Sequence, residues 1–269
     1  MSLTFFFRIM LRLICPGSCY NLTSIGLTHE RVRATMRIGK NLQNFLLFTI
    51  AFCFAVSLLI RVTKFHNVLG FNRADIREKV VAITYDDGPY PPYTNQLLDV
   101  LDRYQVKATF FEIGRNIEKH PEIVPMIIAR GNELGNHSYS HKDMMFKPRE
   151  FLLSEIAKTD KLLLELGVKQ DSISFRPPWG RRFVVLPYLL SQMHKKMIMW
   201  DVDSQDYEKT HSAEDIANRV IDNVRSGSIV VMHDGGGDRS KTVAATDMIV
   251  KTLQSKGYAF KTVSELLKN

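Results

Sequence analysis

Beyond residue 78 the chain alternates short apolar runs with longer amphipathic stretches. Seven runs, at 79–86, 107–113, 132–137, 172–177, 196–203, 228–233 and 258–263, have the apolar, β-branched character that predicts strands. The first six each end in polar residues or turn formers. Between them apolar positions recur at helical spacing. Leu152, Ile156, Leu163 and Leu166 mark one face, closed by Gly167, and Ile216, Val220, Ile221 and Val224 mark another, opened by Ser212 with Asp215 as an N-cap pair. A third helix, over about 242–256, stops at Gly257. Strand alternating with helix seven times predicts a mostly parallel α/β sheet, closed as a barrel or open and doubly wound.

The N-terminal part follows a different pattern. Residues 45–60 are uncharged and almost wholly apolar, and counted from Leu42 they approach the roughly 20 residues a spanning helix needs. Arg31, Arg33, Arg37 and Lys40 precede the run, so the positive-inside rule predicts a cytoplasmic N-terminus and an extracytoplasmic remainder. A cleaved signal peptide would show a small-x-small site after Ile60. Arg61 and Lys64 stand there instead, and an uncleaved membrane anchor is expected. Met36 offers a second start. The expected organisation is a basic cytoplasmic segment over 1–41, a transmembrane signal-anchor over 42–60, a polar linker over 61–78 and one globular domain over 79–269.

Charge and cysteine content sharpen that division. The formal net charge is +8, but residues 1–61 hold seven Lys/Arg against one Glu, which leaves only +2 on the rest. A nucleic-acid partner is therefore not indicated. All three cysteines, Cys15, Cys19 and Cys53, lie in the N-terminal part. The globular domain has no disulfide framework and no thiolate ligand, so histidine and carboxylate remain as ligand types.

The chemistry-bearing residues gather where predicted strands end. Ala82-Ile83-Thr84-Tyr85-Asp86-Asp87-Gly88-Pro89 closes the first strand on two adjacent carboxylates, and Gly88-Pro89 breaks it. Side chains alternate across a strand, so both carboxylates serve one site only where the strand loses its regularity. Adjacent carboxylates repel, which calls for a cationic partner such as a metal. His137, Arg176, Asp203 and His233 end four other strands, and in α/β barrels that end carries the active site. His137-Ser138-Tyr139-Ser140-His141 spaces two imidazoles by one helical turn, which would bring them to the same side. With one carboxylate they form a ligand set that leaves positions open for water and substrate. Arg176, in Phe175-Arg176-Pro177-Pro178-Trp179-Gly180, is expected to hold Asp86 ionised through a two-pronged contact. Trp179 fits packing, a sugar-stacking platform, or a backbone N–H turned to the site. A carboxylate from the neighbouring strand would favour the His233 imidazolium, which could then deliver a proton near neutral pH.

Taken together, these segments resemble the motif series of the polysaccharide deacetylases, carbohydrate esterases with a NodB-type homology domain. That family's T-F-D-D-G-P is Thr84-Tyr85-Asp86-Asp87-Gly88-Pro89 here, its H-S/T-x-x-x-H spans 137–141, and its R-x-P-Y is Arg176-Pro177-Pro178-Trp179. Its D-x-x-D-W runs from Asp203 to Tyr207, and its L-x-H is Val231-Met232-His233. Five motifs in order, over about 79–265, make a specific signal. Tyr85, Trp179, Tyr207 and Val231 depart from the pattern but keep size or aromaticity. The resemblance implies a distorted seven-stranded (β/α) barrel and a divalent metal, commonly zinc, on Asp87, His137 and His141. It implies Asp86 as general base, oriented by Arg176, and His233 as general acid, supported by Asp203. The backbone N–H of Trp179 would help to hold the oxyanion. The reaction implied is removal of N-acetyl groups from a glycan. An extracytoplasmic address points first to peptidoglycan, then to chitin-like oligomers or an exopolysaccharide.

Competing readings explain less. Gly235-Gly236-Gly237-Asp238-Arg239-Ser240-Lys241-Thr242 lies between a strand and a helix as a P-loop does, but Ser240 stands where that motif requires Gly. The segment is expected to be a flexible loop beside His233. An iron oxygenase also uses two His and one carboxylate but has no need of Asp86 with Arg176. A non-catalytic glycan-binding relative is the alternative, although every catalytic position is filled.

Overall fold

The computed structural model describes residues 29–62, 70–169 and 173–268. The chain divides into two compact units, Met1–Leu59 and Ile60–Asn269. In the first, helix α1 (His29–Val62) carries the apolar run of the expected anchor. Its large side chains, among them Leu42, Phe45, Phe48, Phe52 and Phe54, are exposed. Among the described residues no helix is long and apolar enough to cross a membrane, and the side chains at 58–60, where the run ends, fall outside them. The basic segment up to residue 28 and part of the linker, 63–69, also lie outside the described residues.

The second unit is built on a parallel sheet. Its strands are β1 (Val80–Asp86), β2 (Thr109–Glu112), β3 (Glu133–Asn136), β4 (Val202–Asp203), β5 (Ile229–His233) and β6 (Ala259–Phe260). They lie in the order β3-β2-β1-β5-β4, with β6 paired to the start of β1. The helices between them are α2 (Tyr93–Arg103), α3 (Gly114–Lys119), α4 (Ile123–Ala129), α5 (Arg149–Glu165), α6 (Val185–Gln192), α7 (Ala213–Asn223), α8 (Ser240–Ser255) and α9 (Val263–Leu266). The Ser212–Asp215 pair forms the capping box of α7, as its sequence suggests.

Two of the seven expected strands are reduced. Among the described residues of that run, 173–177, only Phe175 pairs, bridging Asn136 on one side and Met197 on the other. Pro177 and Pro178 have no N–H to continue a ladder. The 196–203 run is split: Met197 and Ile198 make single bridges, and pairing with β5 resumes only at Val202. Between them Asp201 turns its side chain to the neighbouring strand, accepting from Ile229 N–H (2.9 Å) and Ser228 Oγ (3.0 Å) where a backbone carbonyl would otherwise serve. These bridges carry the pairing from β3 through Phe175 to Met197, and the chain itself then leads on to β4, an irregular arrangement in place of a full strand set.

The period of two along β1 sorts the core. Val81, Ile83 and Tyr85 pack into the large cluster with Leu97, Leu98 and Leu101 of α2 and Ile249 and Leu253 of α8. Val80 and Ala82 face the other way, with Phe111, Ile198, Ile229 and Leu266. Both faces of the sheet are thus covered, which is why its strands read as continuous apolar runs. Tyr85 remains polar at its tip, where its hydroxyl meets Thr246 Oγ1 at 3.0 Å.

Candidate active site

The site forms at the C-terminal ends of β1, β3 and β5. On β1, Thr84 and Asp86 are two residues apart and share a face. Both meet Arg176, whose Nη1 donates to Thr84 Oγ1 (2.6 Å) and to Asp86 Oδ1 (2.7 Å). The contact with Asp86 is one-pronged, not two-pronged as expected. Arg176 is fully buried, and its remaining N–H groups serve the carbonyls of Met199 (3.1 Å) and Ile198 (3.4 Å), which need donors inside the sheet. Its guanidinium also lies over the Phe111 ring, 4.1 Å from the centroid. Burial raises the Asp86 carboxyl above its ordinary range against the pull of Arg176, the direction that suits a group that must accept a proton.

Asp87 leaves the strand alternation through a left-handed backbone (φ 80°), and this lets the second carboxylate serve the same site as the first. Two glycines make room for the turn. A Cβ on Gly88 would run into the Asp234 carboxylate, and one on Gly235 into the Asp87 carbonyl. The ends of β1 and β5 interlock only because both positions lack side chains. Asn116 of α3 donates to the Asp87 carbonyl at 2.8 Å.

His137 and His141 meet, with ring centroids 4.9 Å apart, but no helical turn joins them. A loop after β3 does so, with Ser138 (φ 65°) and His141 (φ 54°) in the left-handed region. Side chains hold it: Asn136 Oδ1 accepts from Ser138 N–H (2.8 Å), Ser138 Oγ from His141 N–H (3.0 Å), and Glu155 of α5 from Ser140 N–H (2.8 Å). His137 Nδ1 lies 2.8 Å from the Arg176 carbonyl, which fixes Nδ1 as the donor and leaves Nε2 free. Burial lowers His137 to about 3, so its imidazole is neutral.

Asp87, His137 and His141 bring their ligand atoms within 4.8 Å of one another. Asp87 Oδ1 lies 3.1 Å from His141 Nε2 and 3.5 Å from His137 Nε2, yet this buried oxygen accepts no hydrogen bond. The three atoms converge on a common point rather than on each other. A neutral imidazole, a second imidazole and a carboxylate are the donor set of a divalent metal, and the residues fit one.

His233 is placed opposite Asp86 by the register of β5 on β1. The carboxylate that supports it is Asp206, not Asp203. Asp206 Oδ1 lies 2.7 Å from His233 Nδ1, and Asp206 Oδ2 accepts from His233 N–H (2.8 Å) and Thr242 Oγ1 (2.8 Å). The reason is register. Asp203 stands opposite Val231, two residues short of His233, and the chain must continue to 206 to reach the imidazole. Asp203 shapes that continuation: its Oδ1 accepts from Gln205 N–H (2.9 Å) and its Oδ2 from Tyr207 Oη (3.2 Å). Burial alone would lower His233, but the Asp206 hydrogen bond and charge, with Asp86 and Asp87 behind them, raise it to about 9. The loop over 235–239 is tied to this pair by Arg239, a buried side chain that donates to the Gly235 carbonyl (2.6 Å) and the Asp206 carbonyl (3.3 Å).

Trp179 also has a left-handed backbone (φ 54°). The residue is 57% exposed and its ring lies against His141, centroids 4.4 Å apart, so it packs on the site and not in the core. Sequence reasoning missed two buried acids behind the site. Glu112, at the end of β2, has both carboxylate oxygens without a partner. Asp234 accepts from Thr94 Oγ1 (2.6 Å) and backs the Gly88 turn. Glu112 lies in the recognised 107–113 run at the end of β2, and Asp234 directly follows His233, which are the signals that could have found them.

Comparison with known proteins identifies the family. The polysaccharide deacetylase family profile matches residues 73–198. A peptidoglycan-N-acetylglucosamine deacetylase of Bacillus cereus is 40% identical over 193 residues, 71% of this chain and 89% of the relative. The crystal structure of a peptidoglycan N-acetylglucosamine deacetylase in complex with an N-oxidanyl-benzamide superposes with a TM-score of 0.70 at 34% identity, over 74% of this chain and 92% of that one. A pseudoenzyme of the CE4 family from Bacillus anthracis has a TM-score of 0.68 at 28% identity, over 73% and 68% of the two chains. The chain belongs to the polysaccharide deacetylase family.

Proposed function

We propose that the chain is a metal-dependent hydrolase that removes N-acetyl groups from N-acetylglucosamine-containing polysaccharide, with peptidoglycan the first substrate to test. The observation that carries this reading is the placement of Asp86 beside the three-atom convergence: its Oδ1 is held by Arg176 and its Oδ2 lies 3.8 Å from His137 Nε2. Asp87, His137 and His141 would hold the metal, zinc by the donor set, which when bound would polarise the acetamide carbonyl and acidify water. Asp86 takes the proton of the attacking water. The Trp179 N–H, which makes no hydrogen bond among the described residues, is free to meet the oxyanion. His233, held as a cation by Asp206, protonates the departing amine as the C–N bond breaks, and acetate and a free amino sugar leave.

The apolar run 45–60 and the cations before it support a single-pass anchor with the globular unit outside the cell, and that address favours a wall polymer. The similarity to a pseudoenzyme gives the non-catalytic reading its one support. Both are tested with the full-length chain in nonionic detergent, assayed for acetate release from peptidoglycan and from N-acetylglucosamine oligomers with zinc, with a chelator, and as Asp86→Asn. Metal-dependent release that the substitution abolishes is the expected result. Retained glycan binding without release would instead establish the binding relative.

A further inference from the structure

Helix α6 is apolar on two sides but covered on one. No charged residue occurs from 183 to 193. Leu186, Leu189 and Leu190 pack inward, in a cluster with Leu152 and Ile156 of α5. Val184, Val185 and Tyr188, three and four residues apart, share the outer side, where Val184 is 68% exposed and Tyr188 58%. A helix that is apolar all round is ordinarily buried all round, and the outer side of this one is uncovered among the described residues. Phe183 extends the exposed face beyond the helix start and meets Phe146 (centroids 4.8 Å, planes at 49°). Phe146 is 74% exposed and has a left-handed backbone (φ 55°), an uncommon conformation for a bulky side chain. Five large apolar side chains in one run on open surface mark an interaction face, not scattered exposure.

The charge around this face says what it meets. The two stretches that carry it, 141–150 and 179–193, hold five Lys/Arg against two acids. Their net +3 exceeds the +2 of the whole chain beyond residue 61, so the cations are concentrated here. Lys142, Lys147, Arg149 and Arg181 are exposed, and of the two acids Asp143 is held by Arg181 at 2.7 Å. A second copy of the chain would set these like charges against each other across a two-fold axis. An anionic bilayer accepts both features: apolar side chains enter the headgroup boundary, and long cationic side chains reach the phosphates beside them.

We propose that α6, Phe183 and Phe146 form a docking face for a bilayer surface rich in anionic phospholipid. The face goes beyond the deacetylase reading and does not rest on it, because contact with lipid is measured without turnover. Trp179, against the His141 ring, precedes Phe183 by four residues, at most about 14 Å of extended chain, so a docked face would hold the candidate site close to the lipid surface.

The test places a fluorescent reporter on the face. Full-length Phe183→Trp and Tyr188→Trp are each mixed with vesicles whose acyl chains are brominated, made of phosphatidylcholine alone or of equal parts phosphatidylcholine and phosphatidylglycerol. Lys251→Trp, at an exposed position of α8, which packs with α2 and α7, is the control. Wild-type emission, from Trp179 and Trp200, is subtracted. Bromine is expected to quench the added emission of both reporters on the anionic vesicles, and far less on phosphatidylcholine or in Lys251→Trp. Quenching should fall at about 1 M salt, where the Debye length is about 3 Å. It should also fall when Lys147→Gln and Arg149→Gln are added to Phe183→Trp. Two reporters keep the test decisive if one substitution fails to fold. Reporters quenched no more than the control, or equally on the two kinds of vesicle, overturn the docking face. A blue shift of reporter emission that grows with protein concentration in the absence of lipid gives the face to a second copy of the chain, and overturns it as well.

Discussion

Nδ1 of His233 and Oδ1 of Asp206 stand 2.7 Å apart, on an imidazole at the end of β5 and a carboxylate three residues beyond β4. The pair works in both directions. Burial opposes ionisation of Asp206, yet His233, Arg239 and Thr242 hold it below the ordinary carboxylate range, and Asp206 in turn carries His233 up to about 9.

From this pair follows a pH profile. A general acid must be protonated, so kcat/KM on a glycan substrate is expected to fall as pH rises through about 9. Asp206→Ala lowers kcat/KM about 100- to 10,000-fold and moves the remaining basic limb toward ordinary imidazole values. Asp203→Ala, which leaves the Asp206 contact in place, costs far less. Rate–pH profiles of the three proteins decide it; equal losses for the two substitutions would remove Asp206 from its role. The folded state feels the same linkage. A histidine raised on folding adds stability that is complete below its unfolded value of 6.5 and is lost as pH rises through about 9.

Arg176 carries a second expectation. Its side chain holds Asp86 and its carbonyl holds the His137 ring, so one residue ties the proposed base to a proposed metal ligand. Arg176→Met leaves the Asp86 carboxylate buried without a counter-charge and is expected to destabilise the fold by about 3–5 kcal/mol. Arg176→Lys keeps the charge, loses the simultaneous contacts with Thr84, Met199 and Ile198, and recovers only part of that loss. Urea unfolding of the two variants measures the difference. A shift of under about 1 kcal/mol for Arg176→Met would show that Asp86 is uncharged in the resting fold.

Much of this site is legible in the sequence because strand ends are local events. An apolar run that stops on polar residues places Asp86, His137 and His233 without any knowledge of what they face. The pairing of His233 is not legible in that way. It depends on how far β4 runs against β5, and a strand of two residues followed by a turn at Gln205 gives no periodic signal. The loop geometry of His137 and His141 is likewise hidden, because the spacing of four fits a helix as well as two left-handed turns. The reduced strands at Phe175 and Met197 owe their form to tertiary contacts, with only Pro177 and Pro178 as a local hint.

The interlock of β1 and β5 predicts a contrast between glycines. Gly88→Ala drives a methyl group into the Asp234 carboxylate, and Gly235→Ala drives one into the Asp87 carbonyl. Either displaces Asp87, and zinc affinity measured by competition with a chromophoric chelator is expected to drop. Gly257→Ala instead forces a left-handed backbone (φ 82°) on alanine, and its Cβ meets open space. It costs about 1 kcal/mol in stability and leaves zinc affinity unchanged. Equal affinities in all three variants would mean that the turn at Asp87 does not depend on the close approach.

Glu112 supplies the last prediction. Its carboxyl is fully buried at the end of β2, and among the described residues neither oxygen has a hydrogen-bond partner. Burial first, and then the charges of Asp234, Asp86 and Asp87, raise it well above its ordinary value of 4.5. The folded protein therefore holds a proton there that the unfolded chain releases. An acid raised on folding contributes stability that is complete below 4.5 and declines as pH rises above it. Replacing it with an apolar side chain of similar volume removes both the titration and the unpaired oxygens, so Glu112→Leu is expected to stabilise the metal-free protein by about 1–3 kcal/mol. The gain should be larger at pH 8 than at pH 5. Urea midpoints for both proteins at the two pH values, with chelator present, provide the comparison. A gain that is constant with pH would show that Glu112 finds a partner in solution, and a loss at both would show that its oxygens are bonded.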